Sequence, residues 1–299
     1  MFIDIHVHTR MFEGPRQDSE YGSYFATPQE LKDKLEPLGV RAVVALPILS
    51  PECLWVVQSN EEYLWAAEEY PGFIIPFMNI DPRMNGNHPE ADLGYLMRHY
   101  KARGCKGIGE VTCNLPFDDP YMENLFRHAE ANELPLTFHI APRQGHYYGI
   151  IDRLGLPLLE GALRKFPGLR FLGHSQPFWA EISGDLTEAD RSGYPKGEVA
   201  PGGAVVRLMR EYPNLLGDLS PAAGSGYNAI SRDRDFGYAF LEEFQDRLFF
   251  GTDVCDPRNE MDLIPFLNEA VEKGCISREC YEKIGWRNAE ALLGLPPTQ

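Results

Sequence analysis

Two histidines that are two residues apart lie near the start of the chain, at the end of an apolar segment. His6 and His8 flank Val7 and follow the apolar residues that begin at Met1. Neutral imidazole is the commonest metal ligand in proteins, and side chains at positions i and i+2 of a β-strand point to the same side. Because one ion could be bound by both rings, the pair indicates a metal site.

Residues with the same kind of chemistry end four further apolar segments. They are Glu110, His139, His174 and Asp253. A residue of this kind, taken alone, is more often a hydrogen-bonded structural residue than a ligand. With the first two histidines they make six metal-binding or proton-transferring side chains, which include four of the eight histidines. Packing alone does not readily produce such a set, so we interpret it as one site.

The segments that end in these residues alternate with amphipathic helical segments. Eight apolar strands are predicted, at 2–6, 41–46, 73–80, 105–111, 136–140, 169–174, 214–219 and 247–252. They lack strict polar alternation, which is typical of a parallel sheet covered on both faces. Capping signals at Thr27 and Asp119 predict the start of two helices, and an aromatic residue followed by Pro and then Gly or Asn predicts the end of three others, at Tyr70, Phe166 and Tyr212.

This order of elements predicts a fold in which the strand ends meet. Eight βα units predict a single (β/α)₈ TIM barrel over residues 1–299, with 277–299 as two closing helices. A doubly wound open sheet is the alternative, but its first turn would carry a Gly-rich phosphate fingerprint that is missing here. In a barrel the carboxyl ends of the strands converge, and the long connections at 9–26, 175–200 and 220–232 would enclose a substrate there.

Composition excludes several classes of protein. The chain has 299 residues and a formal net charge of −16, whereas nucleic-acid binding depends on Lys and Arg that neutralise phosphates. No apolar stretch approaches the roughly 18 residues of a membrane span, and we expect no signal peptide. The six cysteines form no Cys-x-x-Cys pair, which favours reduced thiols and a cytoplasmic protein. We expect a small-molecule substrate and no nucleic-acid or membrane partner.

The whole pattern resembles a known family. A strand that ends in His-x-His, histidines after the fifth and sixth strands and an aspartate after the eighth resemble the amidohydrolase superfamily of metal-dependent barrels. The segments 251–253 (GTD) and 284–295 (IGWRNAEALLGL) are similar to its amidohydrolase-2 branch, which includes hydrolases and decarboxylases. The resemblance implies that His6, His8, His139 and Asp253 are metal ligands. It also implies that His174 is a further ligand or a group that holds a water or the substrate.

The types of the candidate ligands indicate which ion binds, and the orientation of Glu110 indicates how many ions bind. Three imidazoles and a carboxylate suit zinc, which we predict, although manganese, iron and cobalt accept similar ligands. The resemblance implies that a carboxylated lysine or a glutamate at the end of the fourth strand bridges two ions in some members, and that the bridge is missing in decarboxylases with one ion. If Glu110 points into the barrel, the sequence predicts two ions. If it points outward or pairs with a cation, one ion is expected.

Substrate contacts are predicted in the loops after the strands. Arg10 and Arg143, like Arg16 and Arg258, could present a guanidinium fork to a carboxylate. His146 follows the fifth strand, and Trp179, with Phe178 and Tyr227, could form an aromatic wall. Surface ion pairs and loop packing explain each of these residues equally well.

Three functions follow from this interpretation. The first is a metal-dependent hydrolase of an amide, ester or lactone bond in a small, carboxylated molecule, in which Asp253 carries the proton and His174 helps to stabilise the oxyanion. The second is a non-oxidative decarboxylase of the same architecture. The third is a barrel that only holds a structural ion, although such sites usually contain cysteine and none belongs to this set. The first long loop and the C-terminal helices are the expected contacts of a homodimer.

Overall fold

Parallel strands alternate with helices along the chain, as the sequence predicts. The structure, a computed structural model, describes residues 1–12, 25–53 and 57–298. Its strands are β1 Phe2–Val7, β2 Val40–Ala45, β3 Ile74–Pro76, β4 Ile108–Val111, β5 Leu136–Ala141, β6 Ile150–Ile151, β7 Phe171–His174, β8 Leu215–Asp218 and β9 Leu248–Phe249. The eight predicted strands are all present, and β6 is a short additional strand that pairs with β5.

The strands form a barrel. Parallel pairing gives the order β1-β2-β3 in one sheet and β4-β5-β7-β8-β9 in the other. Backbone hydrogen bonds join the two sheets at both seams: Gly109 N donates to Met78 O at 2.8 Å, and Ile5 N donates to Phe250 O at 2.9 Å. The predicted (β/α)₈ barrel is therefore confirmed.

Several strands are shorter than predicted. The strand predicted at 73–80 is observed as β3, which ends at Pro76. The strand predicted at 247–252 is observed as β9, which ends at Phe249. The apolar residues beyond β9 leave the regular ladder, and Asp253 adopts a left-handed backbone with φ of 52°. Phe250 packs against Phe2 in the larger core cluster, its carbonyl oxygen accepts from Ile5 N, and Thr252 donates to Asp4, so this segment is buried beside β1 without forming a regular ladder.

Helices cover the outside of the barrel. They are α1 Pro28–Leu35, α2 Asn60–Glu69, α3 Leu93–Ala102, α4 Pro120–Ala131, α5 Pro157–Lys165, α6 Gln176–Ala180, α7 Ala204–Glu211, α8 Ser225–Ser231, α9 Arg234–Glu243, α10 Leu263–Glu272, α11 Arg278–Glu282 and α12 Asn288–Leu293. The predicted capping box before α1 is present, and α2, α5 and α7 end at the predicted aromatic residues. Within the described residues, no helix combines the length and the apolar character that a membrane crossing needs.

Two apolar clusters make the core. The larger lies between the strands and the surrounding helices. The smaller fills the barrel interior with side chains such as Ile5, Val44 and Phe77, and Ala289 and Leu293 of α12 pack against its lower end. The C-terminal helices thus cover the barrel's amino end, which leaves the carboxyl end of the strands for the site.

Candidate active site

Four of the predicted residues bring their donor atoms together at the carboxyl end of the barrel. The Nε2 atom of His6 lies 3.1 Å from His8 Nε2, 3.5 Å from Asp253 Oδ1 and 3.8 Å from Glu110 Oε2. His8 Nε2 lies 3.4 Å from each of the same two carboxylate oxygens. Four ligands at about 2.1 Å from a tetrahedral ion are about 3.4 Å apart. The donor set therefore fits one divalent cation.

A second group of donors shares Glu110 with the first. The other oxygen of this carboxylate, Oε1, lies 2.7 Å from His139 Nδ1 and 3.7 Å from His174 Nε2. His174 Nε2 also lies 3.6 Å from Asp253 Oδ2. Of the two orientations that the sequence left open for Glu110, the inward one is observed, with the residue only 3% exposed. Its two oxygens face two different groups of potential ligands.

A bulge in β1 turns the first histidine inward. From Asp4 to Val7 the chain advances three residues while the paired segment of β2 advances two. Because side chains alternate across a regular strand, Ile5 and His6 should face opposite sides. The extra residue changes this alternation, so that Ile5 packs inside the barrel and His6 also lies inside, above it.

A bulge of the same kind in β4 changes the direction of Glu110. From Ile108 to Val111 the chain again advances three residues against two in the neighbouring β5. Gly109 sits within this irregularity with φ of 147°, and a Cβ there would lie 2.9 Å from Thr137. A residue without a side chain is therefore required beside Glu110.

Hydrogen bonds behind the imidazoles fix how the rings are turned. His8 Nδ1 donates to Leu46 O at 2.7 Å, and His6 Nδ1 donates to Asp218 Oδ2 at 2.6 Å. A ring that donates through one nitrogen presents the lone pair of the other to a metal. Asp218 was missed in the sequence, although it ends a predicted strand just as the six chosen residues do.

Burial and neighbouring charges shift the acid–base behaviour of the site. Burial disfavours a charge on His6, but the carboxylates of Asp218, Asp253 and Glu110 together outweigh it and raise the pKa of this imidazole to about 10. Burial, together with the charge of His6, lowers the pKa of His174 to about 4. Although burial opposes ionisation of Glu110, His139 holds the pKa of its carboxyl well below the usual range. The carboxylate is thus charged and favours cations, and an ion held by Nε2 of His6 would take the place of a proton there.

A small cavity opens over these groups. Its volume is about 170 Å³, and its lining combines the metal-type residues with apolar, phenolic and thiol groups: His8, Phe25, Ile48, Cys53, Glu110, His139, Tyr148, His174, Asp253 and Cys255. Beside it lies a second cavity of about 220 Å³, lined by His139, Ile140, Pro142, His146, Tyr147, Tyr148, Gln176, Pro177 and Ser192. The ring of Tyr148, which lines both cavities, lies 4.4 Å from the ring of His139. The site therefore has room for a small molecule.

The loop that carries Tyr148 is held over the site by one side chain. Asn114 donates through Nδ2 to Arg143 O at 3.3 Å and to Gly149 O at 3.2 Å, and its Oδ1 accepts from Gly145 N at 2.7 Å. Three hydrogen bonds from the side-chain amide of Asn114 hold the loop in place at the side of the cavities. The sequence did not identify Tyr148, Cys53, Phe25 or Ile48, because only the folded loops bring them to the cavity.

Two predicted substrate contacts lie beside the second cavity. His146 contributes to its lining and is largely exposed. The guanidinium of Arg143 lies 5.3 Å from the centre of the Tyr147 ring, which also lines this cavity. Both residues are accessible to a ligand from the loop side.

Other predicted contacts lie elsewhere. Trp179 is buried in the core, where its Nε1 donates to Asp218 O at 2.8 Å, and it does not line either cavity. Arg10 Nε lies 3.6 Å from Glu62 Oε1, and Arg258 pairs with Asp256 at 2.5 Å. Arg16 lies outside the described residues.

A comparison with protein-family models identifies the family of the chain. The sequence profile of the family described as Amidohydrolase (Amidohydro_2) matches residues 3–295. The chain therefore belongs to this family of metal-dependent barrel enzymes. Among the curated proteins, none matches the sequence.

Solved structures resemble the whole chain at low sequence identity. An uncharacterized TIM-barrel protein from Bordetella bronchiseptica is 16% identical with a TM-score of 0.66, over 98% of each chain. A probable 2-pyrone-4,6-dicarboxylic acid hydrolase from Acinetobacter baumannii is 16% identical with a TM-score of 0.62, over 98% of this chain and 99% of that one. The 5-carboxyvanillate decarboxylase LigW from Sphingomonas paucimobilis is 15% identical with a TM-score of 0.59, over 99% of each chain. At these identities the likeness shows the fold alone.

Proposed function

We propose that the protein is a metal-dependent hydrolase of an amide, ester or lactone bond in a small, carboxylated molecule. The position of Glu110 carries the proposal, because its two oxygens face two groups of ligands inside the barrel. A carboxylate in that position suits a pair of ions, and paired ions suit the attack of water on a carbonyl.

The donor atoms divide between two ions. His6, His8 and Asp253 would hold the first with one oxygen of Glu110, and the other oxygen would join His139 and His174 at the second. The many imidazoles favour zinc over magnesium or calcium, and manganese and iron accept the same ligands. Bound divalent ions would supply an acidified water and polarise the substrate carbonyl.

Asp253 is the residue placed to move a proton. Its Oδ1 lies near His6 and His8, whereas its Oδ2 lies 3.6 Å from His174 on the other side of the cluster. The carboxylate lines the cavity, and its side chain is 21% exposed. It can therefore accept a proton from the attacking water and return it to the leaving group.

The substrate's carboxylate would be bound away from the acidic cluster. Among the described residues, the lining of the cavity over Glu110 includes no Lys or Arg. Arg143, next to the second cavity, is the predicted cation with the best access. We therefore place the scissile bond over Glu110 and the carboxylate toward Tyr147.

Decarboxylation is the alternative, and one distance favours it. Glu110 Oε1 lies at hydrogen-bond distance, 2.7 Å, from His139 Nδ1. If that bond persists with a metal bound, Glu110 serves as a partner of His139 and leaves a site for one ion. An ion held by three imidazoles and Asp253 would then bind the substrate's carboxylate.

Metal content decides between the two. We expect two equivalents per chain in the wild type, one or fewer in Glu110→Gln, and two in the control Glu290→Gln, whose buried carboxylate pairs with Arg41. One equivalent that is unchanged in Glu110→Gln would contradict the bridge. Release of carbon dioxide from a panel of aromatic and unsaturated acids would then support the decarboxylase.

Location and partners are proposals of the same kind. All six cysteines are free thiols, which favours the cytoplasm. A small-molecule substrate without a nucleic-acid or membrane partner is proposed from the acidic charge and the small cavity. A homodimer through the first long loop, most of which lies outside the described residues, and the C-terminal helices stays a prediction.

A further inference from the structure

Two polar side chains lie directly behind the ligand histidines. His6 and His174 have ring centres 4.4 Å apart, and both turn Nε2 toward the carboxylates of the site. Both Nδ1 atoms face Asp218 and Ser220 instead. Asp218 Oδ2 lies 2.6 Å from His6 Nδ1 and 3.5 Å from His174 Nδ1. Ser220 Oγ lies 2.8 Å from His174 Nδ1 and 3.4 Å from His6 Nδ1.

This pair is held rigidly. Asp218 and Ser220 are completely buried, and Asp218 Oδ1 accepts from Ser220 N at 3.0 Å. Trp179 Nε1 donates to the carbonyl oxygen of Asp218. A Cβ on Gly251 would lie 2.3 Å from Asp218 Oδ1, so the space around the carboxylate is filled. The carboxylate has no room to turn away from the two rings.

We propose that Asp218 and Ser220 form a shared positioning pair that orients His6 and His174 together and so couples the affinities of the two ion sites. When an imidazole donates its Nδ1 hydrogen to the pair, the Nε2 lone pair is free for an ion. His8 Nδ1 donates to Leu46 O, and His139 Nδ1 faces Glu110. These two rings are therefore oriented by groups other than Asp218 and Ser220. The His174 part of the proposal rests on the two-ion centre proposed above, whereas the His6 part needs only one ion.

Asp218→Asn tests the pair because the amide has a single acceptor oxygen. In the wild type one carboxylate oxygen accepts from Ser220 N and the other from His6 Nδ1. In the variant an NH₂ group must face one of them. If it faces His6, the hydrogen of that ring moves to Nε2, where an ion can no longer bind.

The measurement is the affinity of the metal-free protein for zinc and for manganese, by competition with a chelator. Loss of an outer partner of a ligand typically weakens metal binding 10–100-fold. We expect a loss of this size for both ions in Asp218→Asn, and for the ion held by His174 in Ser220→Ala. In zinc-loaded wild-type protein labelled with ¹⁵N-histidine, slowly exchanging Nδ1–H signals of His6 and His174 should be seen, and the His6 signal should be lost in Asp218→Asn.

Two matched controls separate positioning from general damage. Asp152→Asn removes another fully buried carboxylate, which accepts from the backbone of Leu158 and Leu159. Ser225→Ala removes a buried hydroxyl that has no hydrogen-bond partner among the described residues. Both controls should keep the wild-type metal affinities, even where Asp152→Asn lowers the melting temperature.

Wild-type affinities in a folded Asp218→Asn protein would overturn the proposal. If that variant does not fold, Ser220→Ala decides, since wild-type affinity for every ion there overturns the proposal equally. If the wild type binds one ion only, the two-ion hydrolase fails, and the effect of Asp218→Asn on that single ion still tests the His6 contact.

Discussion

Replacement of Gly149 by alanine should force the loop that carries Tyr148 against His139. Gly149 follows Tyr148, and its backbone has φ of 107°. A Cβ at this position would lie 2.7 Å from the carbonyl oxygen of His139 and 2.9 Å from its ring carbon Cδ2. The methyl group therefore meets both the backbone and the imidazole of a proposed ligand.

The structure sets the size of the effect. A residue with a side chain in such a conformation costs about 1–3 kcal/mol, and forcing a methyl group against fixed atoms costs about 1–3 kcal/mol more. Gly145 is the matched control in the same loop, because its φ is 74° and no atom of the described residues lies within 4 Å of a Cβ there. Gly145→Ala should lose only the conformational part, about 1 kcal/mol.

Urea unfolding of the metal-free proteins measures the difference. We expect Gly149→Ala to be less stable than Gly145→Ala by about 2 kcal/mol, since only the first carries the overlap. The affinity of the second ion should fall in Gly149→Ala alone, because His139 is displaced. Equal stability and equal metal affinity in the two variants would refute this account of the loop.

Two further predictions concern buried charges outside the site. Replacement of the fully buried Arg191, whose Nε lies 3.0 Å from Glu181 Oε1, by Met should cost about 3–5 kcal/mol of unfolding free energy. The half-exposed control Arg207→Met should cost less than about 1 kcal/mol, and similar losses in the two variants would contradict the importance of the buried pair. Burial alone would raise the pKa of Asp81, but hydrogen bonds from Arg83 hold it below its usual value. That stabilisation is present above the unfolded-state pKa and is lost as the pH falls, so Asp81→Asn should cost about 2 kcal/mol at pH 7 and much less at pH 3; a cost independent of pH would be the contrary result.

The fold could be predicted from the sequence because the signals that start and end its helices are local. Capping residues such as Thr27 and the aromatic helix ends such as Phe166 act within a few residues of themselves. The alternation of strands and helices then leaves few architectures, and the barrel was the correct one. Strand ends were harder to predict from the sequence, since Phe250 is as apolar as a strand residue and is buried against Phe2, although it lies beyond the end of β9.

The aromatic residues predicted at the site show what local sequence signals cannot predict. Trp179 follows a strand in sequence, just as a cavity residue would, but its indole is drawn into the core by a hydrogen bond to the backbone of Asp218. Tyr148 has no distinguishing sequence feature, and it reaches the cavity because Asn114, more than thirty residues away in the chain, holds its loop.

The sequence by itself determined which residue types end the strands, and hence that a metal-type cluster forms at one end of a barrel. The tertiary structure alone decided how that cluster is arranged. Bulges in β1 and β4 change the alternation of side chains, so that His6 and Glu110 face inward where regular strands would not guarantee it. A bulge depends on pairing with a neighbouring strand and on the space across the barrel, neither of which is written in the residues of one segment.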